Sequence, residues 1–131
     1  DKKLPVSENT LFPIGSSTKA FTTFVLASLA EEGKFDWDKP VTTYLPSFRL
    51  HDRVLTERMT GRDLVTHRSG LPRHDLVWYG VPNLPRAELV GRLPYLENNK
   101  DLREKWQYNN LMYLTAGVVG ETLTGKSWEQ N

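Results

Sequence analysis

Two long stretches of the chain carry the hydrophobic pattern of an amphipathic helix. In each, apolar residues recur at steps of three and four positions, so that they fall on one helical face. We predict helices over about residues 17–32 and 110–123, with Gly33 placed where a left-handed C-terminal cap would follow the first helix and Gly125 lying beyond the second. The apolar positions are Phe21, Phe24, Val25, Leu26 and Leu29 in the first helix, and Leu111, Leu114, Val118 and Leu123 in the second.

Caps and helix breakers predict shorter helices between the two long ones. The spacing of Thr60 and Asp63 is typical of a capping box, and Pro94 is expected to stop the helix that precedes it. Glycine and proline residues concentrated over 68–85 favour a loop. The short helices are predicted over about 40–44, 60–67 and 86–93, with at most one further turn near 75–79. Because no run alternates as a multi-strand sheet requires, the pattern predicts a mainly α protein.

Composition narrows the class of protein. The 131 residues are 38% hydrophobic and 25% charged, with a net charge of +1. These values fit one domain over residues 1–131 and give no strong field that would attract nucleic acid. No apolar run reaches the roughly 18 to 20 residues that cross a bilayer. We therefore expect neither a nucleic-acid partner nor a membrane span.

Metal and cofactor chemistry find little support in the residue types present. The chain has no cysteine, which excludes disulfides, thiolate metal sites and a cysteine nucleophile. His51, His67 and His74 lack the close spacing of paired metal ligands. We predict no metal site and no cofactor.

A serine and a lysine at the start of the first long helix could carry acyl-transfer chemistry. Ser16 and Lys19 are three positions apart, so their side chains share one helical face. The positive end of the helix dipole also disfavours an ammonium there, which suits a lysine that accepts a proton from a serine hydroxyl. The alternative is that the serine caps the helix and Lys19 is solvated.

A second short motif, Tyr108-Asn109-Asn110, begins the second long helix. In a functional interpretation Tyr108 relays protons, and Asn110 donates a hydrogen bond to substrate or to Lys19. The alternative is that the aromatic ring is core and an asparagine caps the helix.

Two other readings of the polar and aromatic residues stay open at this stage. A Ser-His-Asp triad could use His67 or His74 with Asp63 or Asp75, although no Gly-x-Ser-x-Gly elbow accompanies it. We expect His67 instead to be structural, interacting with carbonyl groups at a helix end. Six aromatic residues could line a cleft or pack as core, namely Trp78, Tyr79, Tyr95, Trp106, Tyr108 and Tyr113.

Three segments, in order along the chain, resemble the serine β-lactamase and penicillin-binding-protein superfamily. They are TLFPIGSSTKAFT at 10–22, RDLVTHRSGLP at 62–72, and WQYNN followed by the helix to residue 117. The last motif has a tyrosine rather than a serine. In this respect it resembles the branch that contains class C β-lactamases, DD-peptidases, esterases and D-aminopeptidases.

The resemblance implies a role for each matching residue. Ser16 would be the nucleophile, its backbone N–H one oxyanion donor, and Lys19 its proton partner. Tyr108 would act as general base or acid and Asn110 would orient the substrate. The substrate would be a small-molecule or peptide amide, ester or β-lactam.

The resemblance also implies that parts of the family's α+β fold lie outside this chain. The family's third motif, Lys or His followed by Ser or Thr and Gly, is absent, and so are the strands before the nucleophile helix. The expected fold is the nucleophile helix plus the helical subdomain, with the antiparallel sheet largely absent. A capping box at Ser127 and Gln130, with no helix after it, also favours a fragment.

Such a fragment would be inactive alone, and its partner would be the remainder of the parent chain, with the sheet and the third motif. The compartment is not identified, although a periplasmic or extracellular bacterial parent fits the resemblance. Two alternatives remain open. One is a non-catalytic sensor or scaffold of the same fold, and the other is a helical interaction module whose motifs are accidental.

Overall fold

A computed structural model describes residues 3–80 and 83–131, and these are mainly helical. Over the described residues the strand content is one isolated antiparallel bridge between Pro40 and Thr60, which confirms the predicted mainly α class. The α-helices are α1 Thr18–Glu31, α2 Arg53–Arg58, α3 Gly61–Thr66, α4 Arg86–Gly91 and α5 Asn110–Thr124. Short 3₁₀ turns cover Gly15–Ser17, Val41–Thr43, Asp75–Val77, Leu93–Tyr95 and Trp128–Gln130.

The two long helices predicted from periodicity, α1 and α5, pack against each other at the centre of the core. Leu26 of α1 and Ala116 of α5 are fully buried. Gly120 of α5 faces α1, since a Cβ built there would lie in ordinary van der Waals contact with Val25, at 3.4 Å. Burying each large apolar side chain contributes about 1.5–3 kcal/mol. This packing fixes the position of the first turn of α1 relative to the first turn of α5.

Helix α3 begins and ends as its sequence signals predict. The Thr60 hydroxyl accepts a hydrogen bond from the backbone N–H of Asp63, and the Asp63 carboxylate accepts one from the backbone N–H of Thr60. The helix ends at His67, which adopts a left-handed conformation with φ of 59°. The chain therefore turns sharply after α3.

One helix was not predicted, and one predicted helix end was wrong. Helix α2 was not predicted, because six residues are too few to display a helical period, although Asp52 caps it through a hydrogen bond from the Leu55 N–H. Pro94 does not stop a helix running to residue 93. Instead α4 ends at Gly91, and Pro94 lies inside the following 3₁₀ turn, since proline is compatible with the first turn of a helix.

The start and end of α5 are fixed by local hydrogen bonds and backbone conformation. The side chain of Asn109 accepts a hydrogen bond from the Met112 N–H, and Gly125, just beyond the helix, adopts a left-handed conformation with φ of 69°. Beyond it, the capping box predicted at Ser127 and Gln130 is present and begins a short 3₁₀ turn.

Candidate active site

The serine and lysine of the first motif are brought together at the start of α1. Ser16 lies on the 3₁₀ turn that leads into the helix, and Gly15 makes that turn with φ of 53°. Lys19 lies in the first turn of α1, and its Nζ donates a hydrogen bond to Ser16 Oγ at 3.0 Å. Ser16 is exposed and Lys19 is partly buried.

The second motif reaches the same point from the start of α5. Lys19 Nζ donates to Tyr108 Oη at 2.6 Å and to Asn110 Oδ1 at 2.7 Å. The hydroxyl groups of Tyr108 and Ser16 are also hydrogen-bonded to each other. All four residues singled out from the sequence therefore meet around one ammonium group.

The electrostatic environment of Tyr108 favours its phenolate. The hydrogen bond from Lys19, with a further one from Ser16, holds the pKa of Tyr108 below its usual 10.0, and this outweighs the opposing effect of burial. The positive charges of Lys19 and Arg73 act in the same direction. The phenolic oxygen is thus more readily available as a proton acceptor.

The amide of Asn110 is oriented differently from the prediction that it would donate to Lys19. Its Oδ1 accepts the hydrogen bond from Lys19, while its Nδ2 donates to Asp75 Oδ1 at 3.3 Å. An ammonium has only donors and an ionised carboxylate only acceptors. The two neighbours therefore select one orientation of the amide.

Tyr108 is preceded by a segment over 99–107 that contains a turn at 102–105 and lies along the turn after α3. The carbonyl oxygen of Gly70 accepts hydrogen bonds from the backbone N–H groups of Asn99 and Lys100, and the carbonyl of His67 accepts one from Gln107. Gly70 has φ of 84°, and a Cβ there would lie 2.4 Å from the carbonyl oxygen of Lys100. Only glycine allows this approach without a shift of the backbone.

An ion pair fixes the middle of the same segment to α3. Arg103 donates two hydrogen bonds of 2.8 Å to the carboxylate of Asp63, which also receives hydrogen bonds from Thr60. Burial disfavours the ionised carboxyl, but the hydrogen bonds from Arg103 and Thr60 outweigh it and hold the pKa of Asp63 below 3.8. The pair connects the cap of α3 to the segment that carries Tyr108.

His67 supports Tyr108 rather than the end of α3. The expectation that it would interact with terminal carbonyl groups was wrong, because its Nδ1 accepts a hydrogen bond from the backbone N–H of Asn109 at 3.1 Å. The centre of its ring lies 4.5 Å from the centre of the Tyr108 ring. Burial, with the nearby charge of Lys19, lowers the pKa of His67 below 6.5. A neutral imidazole is required for this contact, since a protonated Nδ1 could not accept.

The Ser-His-Asp alternative finds no support in this geometry. His67 Nδ1 is occupied by Asn109, and the ring nitrogen Nε2 of His74 is 2.9 Å from the carbonyl oxygen of Glu97. Ser16 is hydrogen-bonded to Tyr108 and Lys19.

Asn109 caps α5, as one alternative from the sequence predicted, and it has a second role that the sequence did not predict. Asn109 is fully buried, and besides capping α5 its Nδ2 donates to the carbonyl oxygen of Pro72 at 2.7 Å. It thereby ties the loop after Gly70 to α5. The available signal was its position as an Asn directly before the helical period, which is typical of an N-cap.

A cleft of about 450 Å³ opens beside Ser16 and Lys19, between α1 and α5. Of the six aromatic residues named above, Trp78 and Tyr113 line it, whereas Tyr79, Tyr95 and Trp106 are largely exposed. Trp128 forms part of the same wall, and its Nε1 donates to the Thr22 hydroxyl at 3.0 Å. The cleft thus combines the polar cluster with an aromatic wall.

Residues 3–80 and 83–131 contain neither a cluster of candidate metal ligands nor a membrane-spanning helix. No group of three or more histidine, cysteine, aspartate or glutamate side chains is arranged to hold a metal ion. No helix in this part of the chain is long and apolar enough to cross a membrane.

Comparison with known proteins identifies the family. A family model described as Beta-lactamase matches residues 1–131. The chain belongs to the beta-lactamase family. The resemblance of the three segments to this superfamily is therefore confirmed.

Relatives in this family include hydrolases from fungi and bacteria. The chain is 37% identical to the unguisins hydrolase of Aspergillus campestris, and the match covers 92% of the chain. It is similar to the D-amino acid amidase of Ochrobactrum anthropi, with a TM-score of 0.82, 29% identity and 99% of the chain covered. For FmtA of Staphylococcus aureus the TM-score is 0.78, with 30% identity over 93% of the chain. The helical fold is thus the helical part of the beta-lactamase/transpeptidase-like fold, as predicted.

The match covers only part of each relative. The chain spans 24% of the length of the unguisins hydrolase. It spans 37% of the D-amino acid amidase chain and 33% of the FmtA chain. The remaining parts of these relatives have no counterpart among the 131 residues.

Proposed function

We propose that the protein containing this chain is a serine hydrolase that forms an acyl-enzyme at Ser16. The observation that carries the proposal is the cluster around Lys19 Nζ, which lies within 3.0 Å of Ser16 Oγ, Tyr108 Oη and Asn110 Oδ1. A nucleophile within hydrogen-bond reach of a base, with the base oriented by a third group, is the general arrangement for covalent catalysis.

In the proposed reaction Tyr108 is the general base and Lys19 supports it. Tyr108 Oη accepts the Ser16 proton while Ser16 Oγ attacks the acyl carbon of the substrate. The proton then passes to the leaving nitrogen or oxygen, and the acyl–heteroatom bond breaks to leave an ester on Ser16. Water hydrolyses that ester after giving a proton to Tyr108, and Ser16 regains its proton. The lowered pKa of Tyr108 supports this assignment.

Amides are the substrate class that we favour among amides, esters and β-lactams. Two of the similar solved proteins are named a D-amino acid amidase and a D-stereospecific amidohydrolase. We propose that the parent of this chain cleaves an amide or peptide bond of a small substrate, with the aromatic wall at Trp78 and Tyr113 beside the acyl group.

We further propose that the remainder of the parent chain packs on the exposed apolar side chains next to Ser16. Leu11, Phe12 and Ile14 precede the site, and Phe21 and Phe24 lie on α1, all with more than half of their surface exposed. Soluble domains seldom leave such a group of apolar side chains uncovered. The similar solved proteins are more than twice as long as this chain, which supports a covering by further chain.

Covalent labelling of the full-length parent tests the proposal. A fluorophosphonate probe and a fluorescent β-lactam should label the protein, and Ser16→Ala should abolish labelling. Ser17→Ala is the matched control, and it should be labelled like the unmodified protein. Ser17 is next to Ser16 in the chain, and its side chain makes no capping hydrogen bond to α1. Labelling that persists in Ser16→Ala would place the nucleophile elsewhere.

Turnover separates a hydrolase from a sensor of the same fold. The full-length protein should release product from a panel of D- and L-amino acid amides and p-nitrophenyl esters, with Ser16→Ala as blank. Stable labelling at Ser16 without any product release would instead identify a sensor that is acylated but not hydrolysed.

A further inference from the structure

The loop after Gly70 places a charged pair against the proposed catalytic cluster. Asp75 Oδ1 accepts the hydrogen bond from Asn110 Nδ2, and Asp75 Oδ2 lies 2.6 Å from both Nε and Nη2 of Arg73. The side chain of Asp75 is 25% exposed, whereas that of Arg73 is 60% exposed. The carboxylate is therefore the inner member of the pair and the one that faces the site.

Three anchors hold this loop in place. The carbonyl oxygen of Pro72 accepts a hydrogen bond from the buried Asn109 side chain, and Leu71 is buried in the core. The ring of His74 lies 2.9 Å from the carbonyl oxygen of Glu97. Asp75 is thus presented from a fixed backbone.

An asparagine amide has no strong preference of its own between two orientations related by a flip. If Asn110 were flipped, its NH₂ group would face the ammonium of Lys19 and its oxygen would face the carboxylate of Asp75, and both hydrogen bonds would be lost. With Asp75 in place, the oxygen of Asn110 must point at Lys19. The guanidinium of Arg73 also lies 5.0 Å from the centre of the Tyr108 ring, so the same pair lies against both Tyr108 and Asn110.

We propose that Asp75 is a positioning residue that orients the amide of Asn110, so that its oxygen holds Lys19 in the site. This inference rests on the proposed function, because it concerns the alignment of the same cluster. Asp75 acts through Asn110 and does not touch the reacting atoms. Without it, Asn110 can rotate away and Lys19 loses one of its three fixed partners.

The experiment measures the second-order rate constant for fluorophosphonate labelling of the full-length parent. Asp75→Ala should lower it on the order of 10- to 100-fold, the loss expected when a catalytic group is misplaced by about an ångström. Asp75→Asn should restore most of the rate, because its side-chain oxygen can accept the same hydrogen bond from Asn110. Asp38→Ala removes another aspartate that pairs with an arginine, Arg62, and should leave the rate unchanged.

A double-mutant cycle shows whether Asp75 acts through Asn110. In an Asn110→Ala background, Asp75→Ala should cause little further loss, since the group that it orients is gone. The inference would be overturned if the rate losses of the two single variants multiplied in the double variant. A full labelling rate in Asp75→Ala, or no recovery of the rate in Asp75→Asn, would overturn it as well. Failure of the proposed function is distinct, because labelling would then survive in Ser16→Ala.

Discussion

Asn109 links the two halves of the candidate site, and its removal should have a measurable cost in stability. Asn109→Ala deletes the side-chain oxygen that caps α5 at Met112, which typically costs about 1 kcal/mol. It also leaves the carbonyl oxygen of Pro72 without its donor, and an unsatisfied polar group of this kind costs about 1–3 kcal/mol. Because Asn109 is fully buried, water cannot replace it readily. We expect a loss of about 2–4 kcal/mol in the free energy of unfolding.

A matched variant separates the two contributions of Asn109. Asn109→Ser keeps an oxygen that can cap the helix but has no amide to reach Pro72, so it should be more stable than Asn109→Ala by about 1 kcal/mol. Urea unfolding followed by far-ultraviolet circular dichroism provides the free energies. Equal stability of the Ser and Ala variants would refute the capping contribution. A loss below about 1 kcal/mol for Asn109→Ala would refute the account of the Pro72 contact.

Four further predictions concern the neighbours of Asn109 and the chain as a whole. Tyr108→Phe should lower the labelling rate of the full-length parent by on the order of 10²- to 10⁴-fold and remove the rise of that rate with pH, because the proposed base is gone; an unchanged pH profile would contradict it. Gly70→Ala should destabilise the fold and lower the labelling rate, since its Cβ meets the carbonyl of Lys100 at 2.4 Å, whereas Gly91→Ala, with open space around its Cβ, serves as the control in urea unfolding. The pKa of His67 is lowered in the folded state, so the unfolded state binds the proton more readily and the free energy of unfolding should fall as pH drops below 6.5. If this pH dependence of stability survives in His67→Gln, the effect belongs to another group. The 131-residue chain alone should show little or no turnover of nitrocefin or p-nitrophenyl esters over a Ser16→Ala blank, and turnover near that of the parent would refute this. The reason is that the Ser16 N–H is the one oxyanion donor that we assign to the chain, and loss of a single donor lowers the rate by on the order of 10²- to 10³-fold.

Local sequence signals were sufficient for the elements whose causes are local. Both helices read from the helical period, α1 and α5, lie within two residues of their predicted bounds. Only part of the predicted apolar face of α1 is buried, since Leu26 and Leu29 lie in the core whereas Phe21 and Phe24 are exposed. The capping box of Thr60 and Asp63 uses atoms three positions apart, so it could be read directly. Helix α2 was missed because six residues give no period, and its stability comes from a cap and from burial of Leu55 rather than from a pattern.

The sequence by itself also determined which residues are candidates for chemistry. Ser16 and Lys19 share a helical face by spacing alone, and the resemblance of three segments supplied Tyr108 and Asn110. Their roles in catalysis remain a prediction. Their meeting could not be derived from spacing, because Ser16 and Tyr108 are 92 positions apart and approach only through the packing of α1 on α5.

Only the tertiary structure decided how the site is oriented. The direction of the Asn110 amide depends on having a donor-only and an acceptor-only neighbour, Lys19 and Asp75, which come from different segments. The partner of His67 is likewise the backbone of Asn109, 42 positions away. Hydrogen bonds between distant segments form where packing brings a donor and an acceptor within about 3 Å. A linear pattern of residue types contains the donors and acceptors but not that distance.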